Sequence, residues 1–598
     1  TRDLGVELWT QFLSEHLVDA DCSVAALEAY AEGAPLFSGE YDRIDAVVAQ
    51  RHRDQLLRVV TDHYPALLNI SRGTLRGLGL ILTERVESVL HVLADEQAGS
   101  GSATSTGATS PEHQARTAFR DGLVPGFFAE VPEENPRIAT LRSWVRSSTG
   151  APFEDGTSDL DVAAGLHERG LGIRDLLHAS APSADEALAL TTLDDTSLFE
   201  RCFAVRVERG ERRLAWELLQ RFRARVALRE AGAVGDAHVS FDQVRDVLAR
   251  AGHPAVLVEF VRNGTSWYVL LTRVGASEPE ALRVDVGSDV EESIRELFLG
   301  VSRFRPGRFQ SGVLKGDEHV LLARLSPLVA WLPTAVPSGT HLCVASYGVL
   351  HAVPLQIVPF GSSGECVLDR YTVSHVPAAG YLPLCCRRPR VPPDPVGLIA
   401  GAEYADRVAL LTRHLDAVER ALRERGIDTR RFERSADTEE LLACMKAAPA
   451  WRFIYLHGHG RFVAAAPEQS GVSIGASPGA SLVYLTAEQL GGSGLAADLV
   501  IASFCVSGRS ILSPGEETLG IVRRLLASDI ASVVSALWGF PAEAGRRLIE
   551  DVIQRWVAGQ SKATALAGAQ RAVRSGSLGA RWAHPYYWGA FQLSGDWR

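Results

Sequence analysis

The chain has 598 residues, 46% of them hydrophobic, which is too long for one ordinary core and calls for three or four globular units. A net charge of −11, with no Lys and Arg run interleaved with aromatics to offset it, excludes nucleic acid as an expected ligand. Eight scattered cysteines lack both C-x-x-C spacing and the density of a disulfide scaffold, and no apolar run approaches the roughly 20 residues of a membrane helix, so a reducing cytoplasm is the expected location.

TRDLGVELWTQFLSEHL at the start has no secretory h-region. Residues 1–97 show apolar spacings of three and four, as in LLRVVTDHYPALLNI, and predict a helical domain. The Gly, Ser, Thr and Ala tract that follows has nothing to bury and marks residues 98–113 as a flexible linker or loop. Helical patterning returns over 114–236, without a convincing repeat of fixed period, although degenerate helical hairpins fit it. Its plainest stretch is RRLAWELLQRFRARVALREAG, with Leu214, Leu218, Phe222 and Val226 on one face and Gly232 as a stop.

Beyond Gly235 the pattern changes. AVLVEFVRNGTSWYVLLTRVG predicts two strands around Asn263 and Gly264, and SDVEESIRE reads as a solvated helix face. The Pro-rich RRPRVPPDPVG, residues 387–397, closes this region, so 237–396 and 397–598 are taken as separate parts. In the last part the predicted order is strand VGLIAG, helix LDAVERALRERG, a strand at RRFE, helix TEELLACMKAAP and strand FIYL. A hairpin SIGASPGASLVYL, helix TAEQL, strand LVIASF, a helix from Glu517 to Ala527, strand ASVVSALW and helix RRLIEDVIQRWVAG complete it. Such alternation predicts a doubly wound, mostly parallel α/β sheet, preceded by an all-α N-terminal half. Ligands of these sheets bind at the carboxyl ends of the strands.

Two strands end in reactive side chains: FIYL runs into His457 and His459, and LVIASF runs into Cys505. A cysteine nucleophile requires a base or imidazolium nearby, and backbone N–H groups serve a developing oxyanion well. A glycine after the histidine permits close approach, so the N–H groups of Gly460 and Cys505 are the expected oxyanion hole. His457 is better read as a satisfied structural histidine than as one of a metal pair with His459, because no third ligand is evident. Cys385 and Cys386, being adjacent, are read as thiols, and Cys343 and Cys444 as core residues.

The ordered His-Gly and Cys-x-x-Gly pair, followed by GEETLGIVRRLL, ASVVSALW, ATALAGAQRAV and HPYYWGAFQLSGD, resembles a CHAT domain, a caspase-like cysteine peptidase of the group that includes caspases and separase. The resemblance covers roughly residues 237–598, since SYGVLHAVPLQIVP and DRYTVSHVPAAGYL are similar to the family's N-terminal half. It implies a caspase-like sheet whose catalytic domain is 397–598, with 237–396 a noncatalytic layer. It also implies that HGRF carries the catalytic histidine at His459, with His457 at a position usually small and apolar, and that Cys505 is the nucleophile. No metal or organic cofactor is implied.

Relatives that prefer Arg before the scissile bond place a carboxylate in the specificity pocket. Here Gly539, Phe540, Pro541 and Ala542 follow the LW of ASVVSALW where many members carry an acidic pair, and Ser503 is not acidic. Ser503, Trp538, Phe540 and Glu543 are the candidate pocket residues, and an apolar or small residue is expected rather than Arg unless Glu543, Glu516 or Glu517 reaches the pocket. HPYYW is expected to pack the sheet edge, with Tyr586 or Trp588 lining substrate as the other reading. By analogy with relatives, some acting in antiviral or cell-death pathways, residues 1–235 are expected to bind a protein activator or sensor partner. Two readings therefore stand: a regulated cytoplasmic endopeptidase acting on a protein substrate, or a silent CHAT scaffold acting by protein binding. The abundance of Ala, Arg and Gly with a single methionine hints at a high-GC bacterial source.

Overall fold

The computed structural model describes residues 193–231, 239–263, 266–294, 297, 322–361, 364–387, 396–402, 408–433, 438–447, 450–464, 466–476, 482–491, 494–513 and 515–598. The helical domain expected over 1–97, the linker 98–113, residues 114–192 and most of the Pro-rich seam lie outside them. The chain divides into two compact units, Thr1–Gly210 and Glu211–Arg598. In the first, the described residues form helix α1 (Leu193–Glu208).

The second unit opens with α2 (Arg212–Phe222) and α3 (Arg225–Glu230), where the 3.6-residue pattern predicts one helix. The break falls at Arg223, whose extended backbone is followed by Ala224 at φ +53°. Its cause is a buried charge. The Arg223 guanidinium is fully enclosed, donates to the carbonyls of Phe260 and Ala345, and lies 3.8 Å from the equally enclosed carboxyl of Glu259. Glu259 in turn accepts from Trp216 Nε1 and Gln220 Nε2. An arginine buried without these acceptors would be prohibitively costly, so tertiary contacts override helix propensity. The expected apolar face shifts as well: Leu214 is 47% exposed, while Trp216 and Leu219 join Leu218 and Phe222 in the core.

After α4 (Phe241–Ala249), capped by the reciprocal bonds of Ser240 and Gln243, the strands begin. They are β1 (Ala255–Asn263), β2 (Ser266–Arg273), β3 (Glu280–Val284), β4 (His341–Ala345), β5 (Thr372–His375), β6 (Val396–Gly401), β7 (Asp428–Glu433) and β8 (Trp451–His457). A small sheet of β9 (Gly460–Arg461), β10 (Gly471–Ala476) and β11 (Leu482–Thr486) follows. Next come β12 (Ala496–Ser503), the hairpin β13 (Ile511–Ser513) and β14 (Glu517–Leu519), β15 (Asp529–Ile530), β16 (Ser532–Ala536) and β17 (Phe591–Gly595). Among the described residues, twelve strands form one sheet in the order β3-β2-β1-β4-β5-β17-β16-β12-β8-β6-β7, with β15 beside β12. From β7 through β6, β8 and β12 to β16 every pairing is parallel, whereas β17 runs antiparallel to β16 and meets β5 only at Ser594 and His375.

The remaining helices that matter here are α5 (Tyr381–Arg387), α6 (Val408–Arg423), α7 (Thr438–Ala447), α8 (Ile521–Ala527), α9 (Ala542–Val557) and α10 (Lys562–Arg574). The architecture is the expected mostly parallel, helix-covered α/β sheet. On α9 the predicted core face of Leu548, Ile549, Val552, Ile553 and Trp556 is buried, and Trp556 stacks on Phe453 of β8 at 5.5 Å. One expected element differs. Residues 517–519 pair with β13 as a strand, and helix α8 starts only at Ile521, because Glu517 is drawn under α3 by a hydrogen bond from Ala227 N.

At the amino ends of β8, β12 and β16, Lys562 Nζ lies 2.6 Å from Asp498 Oδ1 and 2.9 Å from Ser532 Oγ, with Arg452 on the other oxygen of Asp498. Lys562 and Asp498 are both almost wholly buried, so α10, β8, β12 and β16 are tied at one point. Removing only the lysine leaves a buried carboxylate with reduced compensation. We therefore expect Lys562→Ala to cost about 3–5 kcal/mol in urea denaturation, and Lys562→Ala with Asp498→Ala to cost less than Asp498→Ala and Lys562→Ala summed.

Candidate active site

β8 and β12 are parallel neighbours, aligned from Trp451 opposite Ala497 to His457 opposite Ser503. Two residues beyond this last pair lie His459 and Cys505. Both strands stop at the same level, so the two residues emerge together at the carboxyl edge of the sheet.

The backbone of His459 is fixed by a residue that the sequence reading did not single out. Ser473, wholly buried on β10, accepts from His459 N through its hydroxyl and donates its own N–H to His459 O, each at 2.9 Å. The backbone bond from Ser473 N turns the His459 carbonyl toward β10. By antiparallel alternation the N–H of the next residue, Gly460, opposite Val472, points away from β10. Gly460 also packs directly on Cys505: an added Cβ would stand 1.8 Å from the Cys505 carbonyl oxygen, so only glycine fits.

Cys505 sits on a strained turn. Val506 has φ +56°, a conformation costly for a β-branched residue. Ser507, also missed from the sequence, braces the turn: its hydroxyl donates to Ala502 O and accepts from Ala536 N, both at 2.8 Å. Gly508 N adds a 2.8 Å bond to Ala536 O. Across from the thiol runs the segment after β16, where a Cβ on Gly539 would lie 3.6 Å from Cys505 Sγ. Glycine there leaves the sulfur uncovered on that side.

The candidate pocket residues divide. Ser503 is buried beside His457, and Trp538 donates Nε1–H to Tyr586 O at 3.0 Å. Phe540 packs on Phe591 at 4.6 Å and over Gly545. Glu543 lies at the surface, 2.6 Å from Arg581 and 3.7 Å from Arg547. The other two carboxylates named for an arginine pocket are also engaged. Glu516 accepts from Gly348 N at 2.8 Å and pairs with His351 at 3.2 Å, and Glu517 accepts from Ala227 N at 3.2 Å. Tyr586 and Trp588 are buried in the turn Pro585–Trp588; burial, then the nearby Cys505 and Tyr587, push the Tyr586 phenol up to about 12.

Residues 320–596 match the family model of the CHAT domain. The chain carries a CHAT domain. The matched stretch begins later than the 237–598 suggested by motif resemblance. Two crystal structures of the Saccharomyces cerevisiae separase-securin complex are similar to this chain at 11% and 10% identity, with TM-scores of 0.45 and 0.46, each over 98% of this chain and 48% of theirs. This chain thus spans about half the length of those structures. The Arg specific cysteine proteinase gingipain R is similar at 9% identity and a TM-score of 0.33, over 52% of this chain and 74% of its own. No curated protein matches.

Beneath the strands that lead to His459 and Cys505 runs a polar chain, buried except at the half-buried Glu550, that the sequence shows only as the alternation Phe453, Tyr455, His457. His414 Nδ1 on α6 lies 2.7 Å from Glu550 Oε1 on α9, and His414 Nε2 lies 2.6 Å from Tyr455 Oη. Tyr455 Oη is 3.2 Å from His457 Nδ1, which is 3.4 Å from Ser503 Oγ. A carboxylate only accepts, so His414 carries its hydrogen on Nδ1 and accepts from Tyr455, whose oxygen then accepts from His457 Nδ1–H. His457 is thereby a hydrogen-bonded structural histidine. Among the described residues no three His, Cys, Asp or Glu side chains are grouped to hold a metal, no disulfide joins the cysteines, and no helix is long and apolar enough to cross a membrane.

Burial, opposed by Glu550, lowers the His414 pKa to about 4. The unfolded chain therefore binds more protons than the folded one between its ordinary value near 6.5 and about 4, so stability falls as pH drops through that window, by about 3 kcal/mol in all. Thermal melts followed by circular dichroism from pH 7 to 4 should show this slope, and His414→Gln should flatten it.

Proposed function

We propose that this chain is a cysteine endopeptidase in which Cys505 is the nucleophile and His459 the acid and base. The observation that carries this reading is the close approach of two strand ends, with Gly460 packed on the Cys505 carbonyl. The Cys505 thiolate attacks the scissile carbonyl carbon, forming the C–S bond while the carbonyl electron pair moves to oxygen. The backbone N–H groups of Gly460 and Cys505 are the donors for that oxyanion. His459 as imidazolium then gives its proton to the leaving amine as the C–N bond breaks. Water, surrendering a proton to His459, hydrolyses the thioester, and the thiolate returns. Residues 397–598 supply this chemistry, and 237–396 act as the noncatalytic layer.

The substrate is a protein whose residue before the cut is apolar or small, with Ser503, Trp538 and Phe540 at the pocket. The engagement of Glu516, Glu517 and Glu543 with other groups supports this expectation, because a buried guanidinium would find no spare carboxylate among them. A protein partner acts on the helical N-terminal part, residues 1–235, to control the enzyme in the cytoplasm.

Mass-spectrometric mapping of cuts in a diverse peptide pool tests both claims. The native chain should cut, and Cys505→Ala and His459→Ala should both abolish the cuts. A profile dominated by Arg or Lys would overturn the pocket reading. Silence from all three, with and without proteins captured on residues 1–235, would favour the scaffold.

A further inference from the structure

Among the described residues three non-glycine residues adopt a left-handed φ: Ala224 at +53°, Val506 at +56° and Glu516 at +57°. Ala224 is far in sequence from the other two, yet all three lie on one connected path. Ala224 N donates to Gly515 O at 3.0 Å, Glu516 comes next in the chain, and Ala227 N donates to Glu517 Oε2 at 3.2 Å. Three consecutive residues at the tip of the β13–β14 hairpin are therefore gripped: two by α3 and its preceding turn, and Glu516 by Gly348 N and His351. Glu230 at the end of α3 extends the grip to Arg523 at 3.0 Å and Arg524 at 3.4 Å on α8.

The base of the hairpin leads back to the nucleophile. Gly520 packs so closely on the Arg509 carbonyl that an added Cβ would stand 2.7 Å away, and Arg509 N donates to Val506 O at 3.1 Å. Val506 adjoins Cys505. Strained conformations persist only where surrounding contacts over-determine them, and they gather at switch regions. At the other end of the path Arg223 anchors the turn between α2 and α3 to β1 and the end of β4 through carbonyls at Phe260 and Ala345.

We propose that α3 and the Gly515–Glu517 tip form a clasp that holds Val506 in its left-handed conformation, so that the position of the α2–α3 segment decides whether Cys505 is presented at the sheet edge. This rests on the reading of Cys505 as the nucleophile and identifies where control from the N-terminal side enters that site. The docked clasp is the armed state. Displacing α3 loosens the Gly520–Arg509 contact and with it the Arg509 N bond to Val506 O. The Ser507 and Gly508 bonds alone then no longer hold Val506, which relaxes to a negative φ and turns the adjoining thiol out of its position.

The test is the rate at which iodoacetamide alkylates Cys505 in the full chain, read by mass spectrometry against Cys444 in the same molecules. Glu517→Gln keeps the side chain's shape and weakens the bond from Ala227 N, and it should slow Cys505 about tenfold, the scale set by one left-handed β-branched residue. Val506→Gly removes the strain, so in the Val506→Gly, Glu517→Gln double variant the rate should return to within about threefold of Val506→Gly alone. If Glu517→Gln misfolds, Glu516→Gln, which weakens the hold of Gly348 and His351 on the same tip, is expected to give the same slowing and the same rescue. An unchanged rate in a folded clasp variant, or slowing that Val506→Gly does not rescue, overturns the clasp. Peptide cleavage is not the readout, so a dead peptidase with clasp-dependent alkylation would refute the enzymatic reading and leave the clasp standing.

Discussion

The structure turns on the parallel pairing of β8 with β12. Their register sets His457 opposite Ser503, and the identical two-residue overhang then brings His459 and Cys505 to one edge. A slip of one residue would reverse which side chains of β12 face α9 and would move Cys505 off the level of His459. The buried cluster of Lys562, Asp498, Arg452 and Ser532 at the amino ends resists such a slip. Charge and hydrogen bonding at one end of the strands thus support geometry at the other.

Around His459 and Cys505, polar contacts fix backbone rather than side chains. Ser473 holds the His459 peptide from both sides and Ser507 holds the turn after Cys505, each with a wholly buried hydroxyl. A buried hydroxyl is costly without partners, so serine at these sites specifies one loop path where an apolar residue would permit several. The chain from Glu550 to His457 does the same for the layer below: it makes a strand of Tyr and His acceptable against α6 and α9 and fixes a tautomer.

Much of this was legible in the sequence. β6, β8, β12 and α9 follow from apolar period and turn chemistry, and the His and Cys positions follow from their place at strand ends. Ser473 was invisible because its role arises from an antiparallel neighbour whose register no local pattern encodes. The helix break at Arg223 was missed for a related reason: helix period treats an arginine as a surface residue, and only the distant carbonyls of Phe260 and Ala345 with Glu259 make its burial tolerable. Glu517 looked like a helix start for want of any sign of its partner, Ala227, in a helix 290 positions earlier. His457 was weighted towards structure, and its partners, Tyr455 and through it His414 and Glu550, could be found only in three dimensions.

The single register pair between β5 and β17 bears on how the chain comes together. Among the described residues the strands on one side of that seam share no other ladder contact with those on the other, and β17 is held chiefly by its five-residue ladder with β16. Each half has ladders of its own, with antiparallel pairs among β1, β2 and β3 on one side, and the two become one sheet only through the segment Phe591–Gly595. Such sequence-distant closure is slow relative to local helix formation. A chain in which Phe591–Gly595 had not docked would leave the edges of β5 and β16 open together, a template for pairing with a second copy.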